Sequence, residues 1–272
     1  MTNHFSNKFY FKVLKRALLR EFLGRGQIKR DTHLVREEYD KSYLRESNED
    51  FMFKEQDVFL DGKITTMPVS EYKRFMVGQF SKIISEKKSE SILELGSGRG
   101  FNILALAALH PEIKKLRGLE LSTEGVKVSK RNLAAPPVAI LKKLTGLTEW
   151  EILSRIRAAD IDFTEGSILE IPFPKNSFDA VFSNSVIEQI PRDYMKVFTG
   201  VFRVAEKIAF FSEPFKEAQR GHIFNLMHLK NIDYFCASYR EVEKAGFKTL
   251  SFEIPPLQKF VFNTGLLVVS KI

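Results

Sequence analysis

The stretch Ser91-Ile-Leu-Glu-Leu-Gly-Ser-Gly-Arg-Gly100 decides the fold, because an apolar run leads directly into three glycines at alternate positions. The residues that follow, 101–107, are almost all apolar and predict a helix. Glycines at such a turn allow positive φ angles and let a ligand approach the backbone closely. The free N–H groups at the start of the helix would face that ligand. The stretch therefore predicts a strand, a tight turn and a helix that bind a nucleotide-like cofactor.

The spacing of the glycines distinguishes two classes of cofactor. Dinucleotide-binding turns use G-x-G-x-x-G, and here Phe101 stands at the third glycine position. A carboxylate at the end of the strand, Glu94, would repel a pyrophosphate but suits a ligand with an ammonium group. The pattern resembles the first motif of the class I S-adenosylmethionine-dependent methyltransferases, an acidic residue followed by G-x-G-x-G. This resemblance implies S-adenosylmethionine as the cofactor and places in its site Glu94, Gly96, Ser97, Gly98 and Gly100.

Two further stretches continue the resemblance along the chain. A second apolar strand ends in Glu120, 24 positions after Gly96, and acidic residues about 20 positions after such a turn bind ribose hydroxyls. The resemblance gives Glu120 that role, with Leu121 beside it; the alternative is an ordinary helix-capping acid. A third strand leads to Ser167 and Ile168, where the family contacts the adenine. Ser167 replaces the usual aspartate, and its hydroxyl can still form a hydrogen bond to the adenine amine.

The fourth stretch, residues 177–190, resembles the family's fourth strand and the loop that leaves it. Ligands of doubly wound sheets bind beyond the carboxyl ends of the strands. We therefore expect Asn184, Ser185, Glu188 and Gln189 to face the transferable methyl group or its acceptor, the first two as part of the cofactor site.

The resemblance covers residues 76–272 and implies an α/β fold. The expected architecture is a Rossmann-like, seven-stranded methyltransferase sheet, mostly parallel with a C-terminal antiparallel hairpin. An N-terminal helical extension, residues 1–75, precedes this domain. The later elements are predicted as a helix at 194–206, a strand at 208–215, a helix at 238–245, and strands at 247–254 and 266–270.

Methyl transfer requires mainly positioning, with a general base where the acceptor must lose a proton. The region after the fifth strand usually builds the substrate pocket, and it contains His222, Asn225 and His228. Our acid/base candidates are His222, His228, Glu188 and Glu213, and Asn225 is a substrate-binding candidate. For each histidine, the alternative is an ordinary hydrogen-bonded or exposed residue. The sequence contains neither an H-E-x-x-H motif nor the paired cysteine and histidine spacings of metal sites, so no metal is expected.

Composition agrees with a globular enzyme of this size. The chain has 272 residues, 44% of them hydrophobic, and a single cysteine, Cys236. One cysteine forms no internal disulfide and is typical of a reducing compartment. The sequence contains no apolar run of about 20 residues and no secretory signal. We expect a cytoplasmic protein, with peripheral contact at the inner membrane face as an open alternative.

The positive charge is concentrated at the N-terminus. Phe11, Leu14, Leu18 and Phe22 recur at helical spacing and predict a basic amphipathic helix. Its apolar stripe would pack on the catalytic domain, lie on an anionic membrane, or accompany contacts to RNA. Residues 1–30 carry one acidic residue, Glu21, against Lys8, Lys12, Lys15, Arg16, Arg20, Arg25, Lys29 and Arg30.

Two other segments depart from a minimal domain. Tyr39 and Tyr43 share a helical face, and many small-molecule members of the family have a tyrosine-containing helix that acts as a lid over the cofactor. Simple packing is their alternative role. Residues 138–159 form an added helical segment that would cover the adenine end, serve a subunit contact, or lie on the surface.

The acceptor is the least determined part of the prediction. A small molecule, a sugar or a lipid-linked intermediate fits, with an oxygen, nitrogen or carbon acceptor atom. Nucleic acid is less favoured, because Asn184-Ser185-Val186-Ile187 stands where amino-methyltransferases of nucleic acids have N-P-P-Y. Two functions other than methyl transfer stay open for the protein. It could be a non-catalytic nucleotide-binding protein associated with membrane or RNA, or an NAD-type oxidoreductase or epimerase. The sequence does not predict an oligomeric state.

Overall fold

The computed structural model describes residues 11–19 and 29–271, in which ten strands form two sheets. The strands are β1 (Glu55–Leu60), β2 (Lys63–Pro68), β3 (Ser91–Leu95), β4 (Lys115–Glu120), β5 (Asp160–Glu165), β6 (Phe178–Asn184), β7 (Ala205–Glu213), β8 (Phe247–Glu253), β9 (Leu257–Lys259) and β10 (Gly265–Lys271). The α-helices are α1 (residues 11–19), α2 (Thr32–Arg45), α3 (Asn48–Phe53), α4 (Val69–Lys87), α5 (Phe101–Leu109), α6 (Thr123–Ala134), α7 (Val138–Thr145), α8 (Glu149–Ala158), α9 (Tyr194–Val204) and α10 (Ile223–Asn231).

The larger sheet has seven strands in the order β5-β4-β3-β6-β7-β10-β8. Strands β3 to β7 are parallel, and β10 runs antiparallel between β7 and β8. The expected Rossmann-like methyltransferase sheet with an antiparallel C-terminal end is confirmed. The order changes direction at β3, so the carboxyl ends of β3, β4 and β6 border one crevice, where such sheets bind ligands.

Apolar side chains cover both faces of this sheet. Along β6 and β7, Phe182 and Phe210 point to one face and stack with ring centroids 4.9 Å apart, whereas Val181 and Phe211 point to the other. The alternation follows from the two-residue period of a strand. Because central parallel strands are buried on both faces, they read as continuous apolar runs in the sequence.

The added segment at 138–159 forms α7 and α8, which pack on α4 and α5. Ile140, Leu141 and Ile152 are fully buried, and α8 begins with a capping box between Thr148 and Glu151. Trp150 in contrast is 76% exposed. The segment therefore belongs to the core on one face of the sheet.

The N-terminal extension contains strands as well as helices, which the sequence analysis did not anticipate. β1 pairs with β2 through a turn at Asp61 and Gly62, whose φ angles are 50° and 77°. An Asp-Gly pair with two positive φ angles is a strong signal for a two-residue hairpin. β1 also pairs with β9 from the far end of the chain, so part of the extension is joined to the C-terminal region.

The predicted N-terminal helix is described only in part. Residues 11–19 are helical, and its predicted members Lys8, Arg20, Phe22 and Arg25 lie outside the described residues. Segment 238–245 forms a 3-10 helix at Tyr239–Ala245 instead of a regular helix. No helix in the described ranges has the length and hydropathy needed to cross a bilayer.

Candidate active site

A cavity of about 750 Å³ lies at the carboxyl ends of β3, β4 and β6. Its walls come from α2, the turn after β3, the ends of β4 and β6, the loop after β5, and β9. The structure brings most of the predicted site residues to it, namely Tyr39, Tyr43, Glu94, Gly96, Ser97, Gly98, Glu120, Leu121, Ser167, Ile168, Asn184, Ser185, Glu188 and Gln189.

The glycine turn forms a cradle that side chains would fill. Gly96 has a φ of 65°, and a Cβ there would lie 2.4 Å from a methyl carbon of Val186. At Gly98, with a φ of 55°, a Cβ would lie 2.9 Å from the Tyr43 hydroxyl oxygen. The backbone N–H groups of Gly96 and Ser97 donate to the Leu119 carbonyl, which fixes the turn against β4. Only glycine meets both the backbone angle and the close approach.

Glu94 presents a buried carboxylate at the start of this turn. Asn102 donates to its Oε1 at 2.6 Å, while its Oε2 has no hydrogen-bond partner among the described residues. Burial raises the pKa of Glu94, and Asn102 and the nearby ammonium of Lys73 oppose that shift. Burial lowers the pKa of Lys73, which also lines the cavity. A free buried acceptor beside a lysine fits a ligand that carries both an ammonium and a carboxylate.

Glu120 lies at the end of β4 with both oxygens directed to backbone donors. Its Oε2 accepts from the N–H of Gly98 at 2.8 Å, and its Oε1 accepts from the N–H of Ser122 at 2.9 Å. Burial raises the pKa of Glu120, and these backbone donors partly offset the effect. Each carboxylate oxygen has a further lone pair, so the group can also accept hydrogen bonds from a ligand diol.

The loop after β5 closes the other side of the crevice. Ser167 and Ile168 line the cavity with Leu121 and Leu169. The Ser167 hydroxyl oxygen accepts from the N–H of Leu169 at 3.2 Å, which leaves its own proton to donate. Apolar walls with one hydroxyl suit a flat aromatic ring with polar edges.

The loop after β6 holds a second group of polar residues. Ser185 has a φ of 58°, a conformation rarely adopted by non-glycine residues and often found at functional sites. Lys259 from β9 donates to the Ser185 hydroxyl at 2.7 Å and lies 3.6 Å from Glu188 Oε2. Gln189 donates to the Tyr234 hydroxyl at 2.9 Å. We name these five residues the acceptor cluster.

Burial raises the pKa of Glu188, and the Lys259 ammonium limits the rise. For Lys259, burial acts to lower the pKa, but Glu188 and other neighbours outweigh it and the net shift is upward. Glu188 Oε2, Gln189 Oε1 and Asn184 Oδ1 are buried and accept no hydrogen bond within residues 29–271. The acceptor cluster and the neighbouring Asn184 therefore offer acceptor atoms to a ligand that brings donors.

Glu213 lies beneath this loop and does not line the cavity. Its Oε1 accepts from the Ser183 hydroxyl at 2.7 Å and the Val186 N–H at 3.1 Å, and its Oε2 accepts from the Glu188 N–H at 3.2 Å. Burial raises the pKa of Glu213 to about 7, with the nearby Glu188 carboxylate contributing. The structure thus places Glu213 as a residue that positions the loop.

Helix α2 covers the cofactor side of the cavity. Its Asp40 carboxylate accepts from the Ser122 hydroxyl and from the Glu124 N–H. The rings of Tyr39 and Tyr43 face the cavity with centroids 6.1 Å apart. Burial raises the pKa of both hydroxyls, so both are protonated near neutral pH.

Arg99 ties the chain after α2 to the glycine turn. Its guanidinium donates to the Glu46 carbonyl at 2.8 Å and to Asn48 Oδ1 at 3.1 Å. The same guanidinium lies 5.2 Å from the centre of the Tyr43 ring.

Arg30 borders the mouth of the cavity. Its backbone N–H donates to Asp233 at 2.7 Å, and its guanidinium lies 4.8 Å from the centre of the Tyr234 ring. Arg192 forms an ion pair with Asp233 and donates to the Arg30 carbonyl. The chain before α2 is thereby fastened to the loop after α10.

The remaining predicted residues lie elsewhere. Gly100 caps α5 and packs against Phe163. His222 is exposed and lines a separate open groove, and Asn225 is buried in α10. His228 faces α1, where burial and nearby cations lower its pKa to about 4. The structure does not bring these three α10-region residues into the cavity.

Sequence reasoning missed three residues that line the cavity, Arg30, Lys73 and Lys259, and also Tyr234, whose hydroxyl accepts from Gln189. Lys73 lies on an amphipathic helix, and Lys259 on a three-residue strand. Neither belongs to a motif, because the contact of each with the site depends on packing between distant parts of the chain. The Asp61-Gly62 hairpin was the one signal that pointed to β1, the strand on which β9 is placed.

Comparisons with known proteins agree with this geometry. Residues 93–211 match the family model described as a methyltransferase domain. No curated protein sequence matches the chain. Similar solved structures include an S-adenosylmethionine-dependent methyltransferase from Methanosarcina mazei, with 15% identity, a TM-score of 0.54, and coverage of 70% of this chain and 97% of that one. Another is magnesium protoporphyrin IX methyltransferase from Synechocystis with bound SAH, with 12% identity, a TM-score of 0.57, and coverage of 89% and 100%. The cyclase SpnF matches with 13% identity, a TM-score of 0.57, and coverage of 90% and 97%.

At these identities the structural matches establish the fold, and the family match establishes a methyltransferase domain. The chain has the fold of the S-adenosylmethionine-dependent methyltransferases, and its residues 93–211 form a methyltransferase domain. The methyltransferase domain and this fold support S-adenosylmethionine as the cofactor of an enzyme.

Proposed function

We propose that this enzyme methylates a hydroxyl or amino group of a small molecule, sugar or lipid-linked acceptor, with Glu188 as the proton acceptor. One observation carries the proposal. Glu188 Oε2 and Gln189 Oε1 are buried in the cavity wall and accept no hydrogen bond within the described chain. Lys259 lies 3.6 Å from Glu188 Oε2 but makes no hydrogen bond to it. Buried acceptors without a hydrogen bond are costly, so a ligand that supplies O–H or N–H donors at this position is favoured.

In the other half of the cavity, a polar side chain is available for each part of S-adenosylmethionine. Glu94 would hold the ammonium of S-adenosylmethionine, Lys73 its carboxylate and Glu120 its ribose hydroxyls. Ser167 would donate to the adenine. The cradle at Gly96 and Gly98 gives room for the methionine part beside the backbone.

The chemistry needs one proton transfer by the protein. S-adenosylmethionine, held by Glu94, Lys73 and Glu120, would supply an activated methyl group on its sulfonium, and its sulfur would keep the electrons of the S–CH3 bond. The proton of the acceptor passes to the Glu188 carboxylate, whose raised pKa suits a base. The Lys259 ammonium favours the ionised form of Glu188 and so opposes the effect of burial, and Tyr39 and the chain at Arg30 limit access of water.

The cofactor is tested first by calorimetric titration with S-adenosylhomocysteine and, separately, with NAD. We expect binding of the first and none of the second. Binding of NAD alone would overturn the assignment of the cradle.

The acceptor is tested by a screen for formation of S-adenosylhomocysteine with pooled alcohols, amines, sugars and lipids. With the acceptor found, Glu188→Gln is expected to lower kcat by roughly 10²- to 10⁴-fold and to remove the acid limb of the pH profile. Binding of S-adenosylhomocysteine should be unchanged. Glu217→Gln, the same substitution in the separate groove, is the matched control. A Glu188→Gln enzyme with full kcat would refute the proposed base.

A further inference from the structure

Helix α1 is attached to the domain by its small side chains. Val13 and Ala17, one turn apart, are 2% and 5% exposed. Asn231 at the end of α10 donates to the Val13 carbonyl at 3.0 Å. Lys12 and Arg16 lie near enough to His228 of α10 to lower its pKa. These contacts define which side of α1 faces the domain.

The large apolar side chains of α1 point away from that contact. Phe11, Leu14 and Leu18, spaced three and four residues apart on one side of the helix, are 70%, 40% and 56% exposed. One interpretation of the sequence is that this stripe packs on the catalytic domain. The structure does not show such packing for Phe11, Leu14 and Leu18. A soluble surface rarely presents such a stripe without a partner.

Lys15 borders the stripe, whereas Lys12 and Arg16 lie toward His228 and add positive charge behind it. All three cations are exposed, and no acidic residue occurs in residues 11–19. We name Phe11, Leu14, Leu18 and Lys15 the α1 face. A helix with apolar side chains on one side and lysine or arginine beside them binds at the boundary between lipid headgroups and acyl chains.

We propose that the α1 face docks on an anionic phospholipid bilayer. Phe11, Leu14 and Leu18 would enter the interface while Lys15 contacts lipid phosphates, and the charges of Lys12 and Arg16 would add to the attraction from behind. A bilayer accounts for both halves of the face, because it offers negative charge and an apolar phase side by side. RNA would satisfy the cations only, since leucine side chains offer no stacking surface for bases.

The test is cosedimentation of the full chain with vesicles, without cofactor or substrate. We expect binding to vesicles of equal parts phosphatidylglycerol and phosphatidylcholine, little binding to phosphatidylcholine alone, and release by high salt. Each lysine near an anionic surface is worth about 1 kcal/mol, so Lys15→Gln should weaken binding roughly fivefold.

The decisive variant is the double substitution Phe11→Ser/Leu18→Ser. It should weaken vesicle binding roughly tenfold or more, with an unchanged melting temperature because both residues are exposed. Trp150→Ser/Leu250→Ser, which removes two other exposed apolar side chains, is the matched control and should bind normally.

Three results would overturn the proposal. The first is a wild-type chain that stays in the supernatant with anionic vesicles. The second is a Phe11→Ser/Leu18→Ser variant that sediments as the wild type does. The third is binding to single-stranded RNA, but not to vesicles, that the same variant abolishes. None of these results depends on methyl transfer, so the cofactor assignment is tested separately.

Discussion

The Glu120 carboxylate accepts a hydrogen bond from the backbone N–H of Gly98 at 2.8 Å, which joins the end of β4 to the glycine turn after β3. The two residues are 22 positions apart in the sequence. The carboxylate that is expected to bind the ribose therefore also fixes the turn that is expected to hold the methionine part. Cofactor binding and the shape of the turn are coupled through this one side chain.

Glu120→Ala should weaken binding of S-adenosylhomocysteine roughly 10- to 100-fold. Hydrogen bonds to charged groups are each worth about 1.5–3 kcal/mol, and the variant loses the ribose contacts together with the support of Gly98. Isothermal titration measures the change. Glu90→Ala is the control, because Glu90 lies exposed at the opposite end of β3 and pairs with Lys114. An unchanged dissociation constant for Glu120→Ala would contradict the ribose assignment.

Gly96→Ala should abolish cofactor binding and lower stability. The new Cβ would have to displace Val186, at 2.4 Å, in a backbone conformation that already disfavours a side chain. Gly146→Ala is the matched control, since Gly146 has a φ of 74° with no atom within 4 Å of the added carbon. It should cost about 1 kcal/mol of unfolding free energy and leave affinity unchanged. Equal behaviour of the two variants would show that the cradle is not crowded.

Stability should fall as the pH rises from about 4.5 to 7. Burial raises the pKa of Glu213 to about 7 in the folded chain, so the folded state keeps a proton that the unfolded state releases. Stability from this group is complete below the unfolded pKa and is lost as the pH passes the folded value. The loss is at most about 3 kcal/mol.

Urea unfolding at several pH values measures this slope. Glu213→Gln cannot titrate, so it should flatten the slope even though it loses the acceptor for the Glu188 N–H and is less stable overall. Glu188→Gln should flatten the slope less. Burial raises the pKa of Glu188 too, but the Lys259 ammonium opposes that rise. A slope in Glu213→Gln as steep as that of the wild type would refute the assignment.

Arg99→Ala should release the cover formed by α2. The guanidinium holds the Glu46 carbonyl and Asn48 against the glycine turn. We expect faster amide hydrogen exchange in α2 and dissociation of S-adenosylhomocysteine accelerated roughly tenfold. Arg45→Ala is the control, because Arg45 is an exposed arginine at the end of the same helix. Unchanged exchange in Arg99→Ala would mean that other contacts hold α2.

The sequence by itself determined the central sheet, the glycine turn and the polar residues that stand at the carboxyl ends of the strands. These features rest on patterns within about ten residues, such as apolar runs, alternating glycines and a carboxylate after a strand. Parallel strands bring their carboxyl ends to one edge, so Glu94, Glu120 and Glu188 could be assigned to one crevice before the structure was known.

Only the tertiary structure decided which residues complete the site and which side of α1 is free. Lys259 reaches Glu188 because β9 pairs with β1, which lies some 200 residues earlier in the chain. His222 and His228 had the right chemistry for a base, but the fold of α10 directs them to other surfaces. On α1, Val13 and Ala17 form the contact because small side chains let the helix approach closely, and the larger apolar residues stay outside. Contacts of this kind depend on packing between distant segments, for which the local pattern of residues carries no signal.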